Sequence, residues 1–171
     1  MLFRSYRLMN CQKGQVGLTI DQVAAFDIAT HTGYYSTHER GTWNFTESMR
    51  RNNNKQHGAF RQTLIDFIQK YNIKQVVAED VSCGRSGKEF KSSVKLSEFR
   101  GILLEVCDTL DLPEPVFLNP RTIKAWATGD GNADKAKMMR FCKLRWKTEP
   151  VDDNEADATH IFMYFVKKFK L

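Results

Sequence analysis

Several short apolar runs along the chain do not alternate with polar residues. Runs of this kind, at residues 23–28, 74–81 and 116–119, are typical of strands buried on both faces of a sheet. Two further segments, 33–37 and 40–46, are aromatic or β-branched and are bounded by glycine or polar residues. They follow the first run closely, which predicts an antiparallel meander of three strands.

Between the later apolar runs, apolar residues recur at helical spacing. A helix is predicted to begin near His57, and another to carry its apolar stripe over residues 99–110. The polar segments that precede them, 47–56 and 83–93, lack this periodicity and are predicted to be loops.

The last third of the chain contains three helix signals. Pro120 suits a first helical position, and Gly129 ends that helix before a second one at about 132–146. Asp152, with Glu155 three residues later, predicts the start of the final helix. The resulting order, βββαβαβααα, predicts an α/β fold with one mixed sheet and helices on its faces.

The composition agrees with one folded domain over residues 1–171, because 42% apolar residues are enough for a full core. The excess of 26 Lys and Arg over 20 Asp and Glu gives a net charge of +6 and favours a polyanionic partner. Nucleic acid is favoured over a membrane, since no run approaches the ~18 apolar residues of a spanning helix.

The four cysteines, at positions 11, 83, 107 and 142, form no closely spaced pair. This spacing argues against a zinc ribbon or a dense disulfide scaffold and favours a reducing compartment. Residues 1–20 are basic and contain no acid, which indicates a leader or a loosely ordered extension. A cytoplasmic protein is expected, the host cytoplasm if it is phage-encoded, with an organellar transit peptide as the alternative.

Two of the predicted buried strands carry a carboxylate. Asp27 interrupts the first run and Glu79 lies in the second, where desolvating an acid is costly unless a cation or donors meet it. Asp153 and Asp157 lie four residues apart on the last helix, hence on one face. A cap of the following turn is the alternative for Asp27, and a first-turn residue stabilised by the helix dipole is the alternative for Asp153.

With the two strands adjacent and the last helix across them, Asp27, Glu79 and Asp157 are expected to converge. Ionised carboxylates at close range repel one another, so such a cluster requires divalent cations, and hard oxygen ligands favour Mg²⁺ or Mn²⁺. Two such ions per site are the usual apparatus for hydrolysing a phosphodiester bond.

The chain resembles the RuvC-type Holliday-junction resolvases of the ribonuclease-H-like superfamily, with phage-borne members nearest in style. The matching segments are FDIATHTGYY, VVAEDV, KLSEFRG, IKAWATGDGNADK and NEADATHIF. The resemblance implies a ribonuclease-H-like five-stranded sheet and a Mg²⁺-dependent homodimer that nicks four-way DNA junctions symmetrically. It therefore implies roles in recombination and DNA repair, and leaves open whether a helicase delivers the junction.

Residue by residue, the resemblance implies that Asp27, Glu79 and Asp157 are catalytic metal ligands. It also implies functional lysines at Lys124 and Lys135. Further basic and aromatic residues near these motifs are expected to bind DNA: Arg121, Arg85, Lys88, Phe90 and Lys91. For those of the 83–93 segment, ordinary solvated charges are the alternative.

Two positions depart from the family pattern. Where the family has an acid or histidine three residues before the last aspartate, this chain has Asn154, so Asp153 is the expected fourth metal ligand. Where some bacterial members place an aromatic wedge soon after the second acid, this chain has Ser82 in a longer loop. Phe90 is the substitute wedge, with a core position as its alternative.

Other aromatic residues have competing interpretations. His160 is expected to be a hydrogen-bonded core residue rather than a phosphate contact. Trp126, Phe141 and Trp146 lie among Lys and Arg, as in a stacking surface for unpaired bases, but amphipathic-helix core is favoured. Cleavage of RNA–DNA hybrids or flaps is the alternative activity, and a catalytically silent junction-binding scaffold is the alternative of another class.

Overall fold

The structure of the protein is a computed structural model that describes residues 17–46, 53–81 and 87–171, without the side chains of 53, 54 and 87–90. Within these residues the chain forms one five-stranded sheet, and its strands are β1 (Val23–Asp27), β2 (His31–Tyr35), β3 (Arg40–Asn44), β4 (Gln75–Glu79) and β5 (Val116–Leu118). The strand order is β3-β2-β1-β4-β5, antiparallel from β1 to β3 and parallel from β1 through β4 to β5. The predicted mixed sheet with an antiparallel meander is confirmed.

Five α-helices flank this sheet in the described part of the chain. They are α1 (Asn53–Lys70), α2 (Gly87–Thr109), α3 (Pro120–Thr128), α4 (Lys135–Trp146) and α5 (Asp153–Phe169). None of the described helices is long and apolar enough to cross a membrane.

Both faces of the central strands are buried, which explains their continuous apolar runs. Phe26 of β1 and Val76 of β4 belong to a cluster with residues of α1 and α2. Ala25 and Val77 face the other way and pack with Phe162 of α5. The fold is therefore a layer of α1 and α2, the sheet, and a second layer that contains α5.

Two predicted loops are shorter than expected, because the helices that follow them begin earlier in the chain. α1 begins at Asn53 rather than near His57, and α2 begins at Gly87, within the segment predicted as a loop. Gln56 is fully buried and its side-chain amide donates to Phe45 O at 3.4 Å, so its polar side chain faces the interior. Apolar periodicity cannot detect a helical turn whose buried position is polar.

The helices of the last third begin and end at recognisable caps. Asn119 accepts a hydrogen bond from Thr122 N at 3.2 Å before α3, and Gly129 ends that helix with φ of 79°. The following helix starts at Lys135 rather than at about 132, because Asp134 is its N-cap and accepts from Lys137 N at 2.8 Å.

Candidate functional site

The sequence-predicted acids lie where β1, β4 and the start of α5 meet. Phe26 pairs with Ala78 in the parallel register of the two strands, so Asp27 and Glu79 follow side by side. Both lie two residues beyond side chains that pack towards α5, and alternation along a strand places them on that same face. Asp157 is on the second turn of α5, which packs over β1, β2 and β4.

These acids are close enough for the charge of one to shift the pKa of another. Burial, followed by the charges of Asp157, Glu79 and Asp153, holds the pKa of Asp27 well above its usual range. Burial and the Asp157 charge raise the pKa of Glu79 to about 7. Burial also raises the pKa of Asp157 to about 6, against the opposing charge of Lys124. The arrangement concentrates negative charge that nearby cations only partly offset.

Lys124 and Lys135 lie beside this acidic cluster. Lys124 is on α3 and lowers the pKa of both Glu79 and Asp157 by its charge. Lys135 is the first residue of α4 and its ammonium group pairs with Asp153 Oδ2. The charge of Lys135 also reaches Asp27 and Asp157. Both predicted lysines therefore lie within electrostatic range of the acids.

The acids are suited to a divalent cation, although they are not drawn together as ligands. Within the described residues, no three His, Cys, Asp or Glu side chains are grouped tightly enough to hold a metal ion. Asp157 Oδ1, however, is buried and has no hydrogen-bond partner there. A buried carboxylate oxygen without a donor is costly, and a hard cation is the partner that such oxygens accept.

A set of polar contacts fixes the start of α5 to the edge of the sheet. Asp152, the N-cap, accepts hydrogen bonds from Glu155 N at 2.9 Å and from Thr42 Oγ1 of β3 at 2.6 Å. Glu155 is buried, accepts from Val151 N at 2.9 Å, and pairs with Arg40 Nε of β3 at 3.1 Å. These bonds hold the turn that carries Asp153 and Asp157.

Gly33 allows this helix to approach the sheet at backbone distance. It pairs with Asp27 in the register of β1 and β2. A Cβ atom at this position would lie 1.9 Å from the carbonyl oxygen of Asn154 in the first turn of α5. Only glycine therefore permits the observed position of α5 over the carboxyl end of β1.

Comparison with known proteins gives one sequence relative. The crossover junction endodeoxyribonuclease RuvC of Brachyspira hyodysenteriae is 31% identical over 98 residues, which are 57% of this chain. The match covers 59% of that protein, so the chain spans less than two thirds of its relative's length. No protein-family model matches the chain.

Solved structures give the fold. RuvC of Thermus thermophilus aligns with a TM-score of 0.67 and 16% identity over 86% of this chain and 96% of that one. The same protein in complex with Holliday junction substrate aligns at 0.66, with 17% identity over 86% and 94% of the two chains. The yeast mitochondrial Holliday junction resolvase Ydc2 aligns at 0.57, with 12% identity over 89% and 81%. The resemblance to the RuvC-type resolvases is confirmed.

Of the remaining residues that were predicted to contact DNA, the structure describes two as exposed side chains. Arg121 is exposed on α3, one turn before Lys124. Lys91 is exposed on α2 and lines a cleft of about 530 Å³ together with His31 and Asn154. Because His31 follows the Asp27 turn and Asn154 follows Asp153, this cleft opens beside the acids. The other predicted contacts lie outside the described part of the structure: Arg85 entirely, and Lys88 and Phe90 in their side chains.

His160 is a core residue, as expected. It is fully buried, its Nδ1 accepts from Trp146 Nε1 at 3.0 Å, and its Nε2 donates to Met138 O at 3.0 Å. Burial lowers the pKa of His160, which keeps the ring neutral. The histidine therefore joins α4 to α5 and does not face the acids.

Sequence reasoning missed the residues that position α5. Gly33, Arg40 and Thr42 are close to the first strand in sequence, but their partners are more than 100 residues later. The capping-box signal at Asp152 predicted where α5 begins but did not indicate that this residue contacts β3. Gly33, inside a run of strand-forming residues, was the one available signal, since glycine in a strand often marks a close backbone approach.

Asp157→Asn is expected to raise the melting temperature of the metal-free protein at neutral pH and not at acid pH. The native pKa of about 6 lies above the ordinary value of 3.8, so ionisation of Asp157 opposes folding. Well below pH 3.8 the group is protonated in both states and contributes nothing. The loss of folding free energy develops as pH rises towards 6 and is fully present above it. Each kcal/mol of this loss lowers the melting temperature by roughly 2–4 °C.

Thermal melts with a chelator from pH 4 to pH 8 check this dependence. Asp108→Asn, at an exposed position of α2, is the matched control and is expected to show no widening difference from the parent protein. A difference between Asp157→Asn and the parent that stays constant across this range would contradict the expectation.

Proposed function

We propose that the chain is a structure-selective DNA endonuclease that resolves four-way junctions by paired, metal-dependent hydrolysis, leaving 5′-phosphate and 3′-hydroxyl ends. The observation that carries the proposal is the cluster formed by Asp27, Glu79 and Asp157 on a RuvC-type fold. The sequence relative is named a crossover junction endodeoxyribonuclease, and one structural neighbour was solved with a Holliday junction. The net charge of +6 suits a polyanionic substrate.

Asp27, Glu79, Asp157 and Asp153 would hold the metal, two Mg²⁺ ions per site with Mn²⁺ as a substitute. When bound, such ions lower the pKa of a coordinated water and stabilise charge on the phosphate oxygens. The chain itself supplies the ligands, the burial that strengthens each charge interaction, and the two lysines at the edge of the cluster.

The described part of the chain carries one such cluster, whereas a paired cut requires two. A homodimer with a two-fold axis would present two identical clusters to the two symmetric strands of a junction. The functional unit is therefore a homodimer on branched DNA.

A cleavage panel tests the substrate class. Four-way junction, RNA–DNA hybrid, flap and plain duplex are incubated with Mg²⁺, and the product ends are mapped to the nucleotide. Paired, symmetric nicks in the junction alone are expected. Preferential cutting of hybrid or flap would replace the junction activity with another ribonuclease-H-like one, and junction binding without any cutting would indicate a silent scaffold.

Asp153 is expected to be the fourth metal ligand. Its charge reaches both Asp27 and Asp157, whereas Asn154 is neutral and lines the neighbouring cleft. Asp153→Asn should raise the Mg²⁺ concentration for half-maximal cleavage by about tenfold or more, and Asn154→Ala should change it little. Mg²⁺ titrations of cleavage check both variants. The reverse order of effects would assign the ligand to Asn154.

Lys124 is expected to act mainly in the transition state. It lies near Glu79 and Asp157, so its ammonium group can offset charge that develops on the scissile phosphate. Lys124→Ala should lower the single-turnover rate at saturating enzyme by roughly 100-fold while affinity changes much less.

Arg121→Ala is the matched control, since it removes an exposed cation one turn earlier on the same helix. Its loss should weaken binding and reduce the salt slope by ~1 with a normal rate. If Lys124→Ala gave that pattern instead, Lys124 would be a positioning contact. Lys135→Ala, examined in the same way, shows whether the two lysines act together.

A further inference from the structure

A second cleft lies at the opposite end of α5 from the acids. It has a volume of about 580 Å³ and is formed by residues of α3, α4 and the C-terminal part of α5, among them Trp126, Trp146 and Val166. Val166 lies nine positions after Asp157 on α5, or ~14 Å along the helix at about 1.5 Å per residue. The cleft is therefore distinct from the acidic cluster and from the pocket beside it.

Two tryptophans and an arginine form its wall. The rings of Trp126 and Trp146 stack with centroids 5.3 Å apart and planes 19° from parallel. The guanidinium carbon of Arg145 lies 4.6 Å from one ring centroid and 4.8 Å from the other. The Arg145 Nη1 group donates to Ala127 O at 2.9 Å, at the C-terminus of α3. Because it is held on both sides, this exposed cation loses little further freedom when it binds an anion.

The charged residues that line the cleft are all basic. Lys167 and Lys170 line it together with Arg145, all three are exposed, and the described residues that line it include no acid. Its other wall is apolar, from Met163, Val166 and Leu171. The sequence-based preference for these tryptophans as helix core is thus incomplete, since both remain partly exposed at a cationic surface.

We infer that this cleft is a second DNA contact, which holds the phosphate backbone of a duplex arm about four base pairs from the scissile phosphate. The inference deepens the proposed function and rests on it for the identity of the DNA. Exposed lysine and arginine side chains are the groups that bind the phosphates of duplex DNA, and the ~14 Å offset equals about four steps of about 3.4 Å along a strand. An arm that leaves the acids along α5 passes over Arg145, Lys167 and Lys170.

Binding of DNA by a cleft variant tests the inference. The variant is Lys167→Ser/Lys170→Asn, with asparagine at 170 because Lys170 has φ of 58° and asparagine tolerates that conformation. The control pair, Arg61→Ser/Lys70→Ser, removes two cations from α1 on the other face of the sheet. All are made in an Asp157→Asn background, and the Kd for a long-armed junction is measured from 50 to 300 mM salt.

The cleft variant is expected to bind the junction ~10-fold more weakly at low salt, with a salt slope reduced by ~2, while the control pair changes neither by comparable amounts. An unchanged Kd and slope would overturn the inference even if the active protein cuts junctions. If the active protein cuts no junction but the variant still loses affinity for plain duplex, the cleft stands and the proposed function fails. Weakened binding of polyglutamate with unchanged DNA binding would assign the cleft to an acidic protein and overturn the inference.

Discussion

Asp27→Asn, Glu79→Gln and Asp157→Asn are each expected to abolish cleavage of a four-way junction while junction binding survives. Under the proposed function each acid of the cluster is a metal ligand, so removal of any one leaves an incomplete set. The basic residues proposed to contact phosphates are separate side chains, so affinity should be retained. Loss of at least 1,000-fold in single-turnover rate, roughly the size of the largest effects of removing one electrostatic group, is the expected magnitude.

Single-turnover assays and gel-shift titrations on the same preparations check the separation of cutting from binding. Asp108→Asn, on an exposed part of α2, is the control and should cut normally. A variant that cuts at near the wild-type rate loses its assignment as a metal ligand. A variant that loses both activities calls for comparison of its thermal melt with that of the parent, since Asp157→Asn should melt no lower at neutral pH.

The sheet could be predicted because its signals are local. Apolar runs without polar alternation identify β1, β4 and β5, and glycine and polar residues delimit the meander. The capped starts of α3 and α5 were likewise predicted, whereas α4, which is capped by Asp134, begins at Lys135 rather than at about 132. The starts of α1 and α2 were not, because the sequence there is polar; in α1, Gln56 is buried and bonds to Phe45 O. Tertiary contacts there outweigh local pattern.

The acids of the site could be predicted for a related reason. A carboxylate inside an apolar strand, as at Asp27 and Glu79, is costly in any fold and is therefore visible in the sequence alone. The contacts that position α5 beside these acids cannot be recognised in the sequence. Arg40 pairs with Glu155, and Thr42 bonds to Asp152, only because β3 and the helix start meet in three dimensions.

Gly33→Ala is expected to lower the cleavage rate by about 100-fold without changing any acid or lysine. The added Cβ would lie 1.9 Å from the carbonyl oxygen of Asn154, far inside van der Waals contact, and both groups belong to backbone that cannot rotate away. α5 must therefore move outward, together with Asp153 and Asp157. A displacement of about 1 Å at a catalytic group costs roughly 100-fold in rate, and overpacking at such a contact costs about 1–3 kcal/mol of stability.

Gly58→Ala on α1 is the matched control for this prediction. A Cβ at Gly58 meets nothing within 4 Å, so the same substitution should stabilise the protein by up to ~1 kcal/mol through helix propensity and leave cleavage unchanged. Mg²⁺ titration distinguishes displacement of the ligands from simple loss of stability: a displaced α5 raises the Mg²⁺ requirement at temperatures well below the melt, whereas a merely less stable protein keeps the parent's requirement. A Gly33→Ala protein with the parent's rate and Mg²⁺ requirement would show that the approach of α5 to β2 does not set the geometry of the acids.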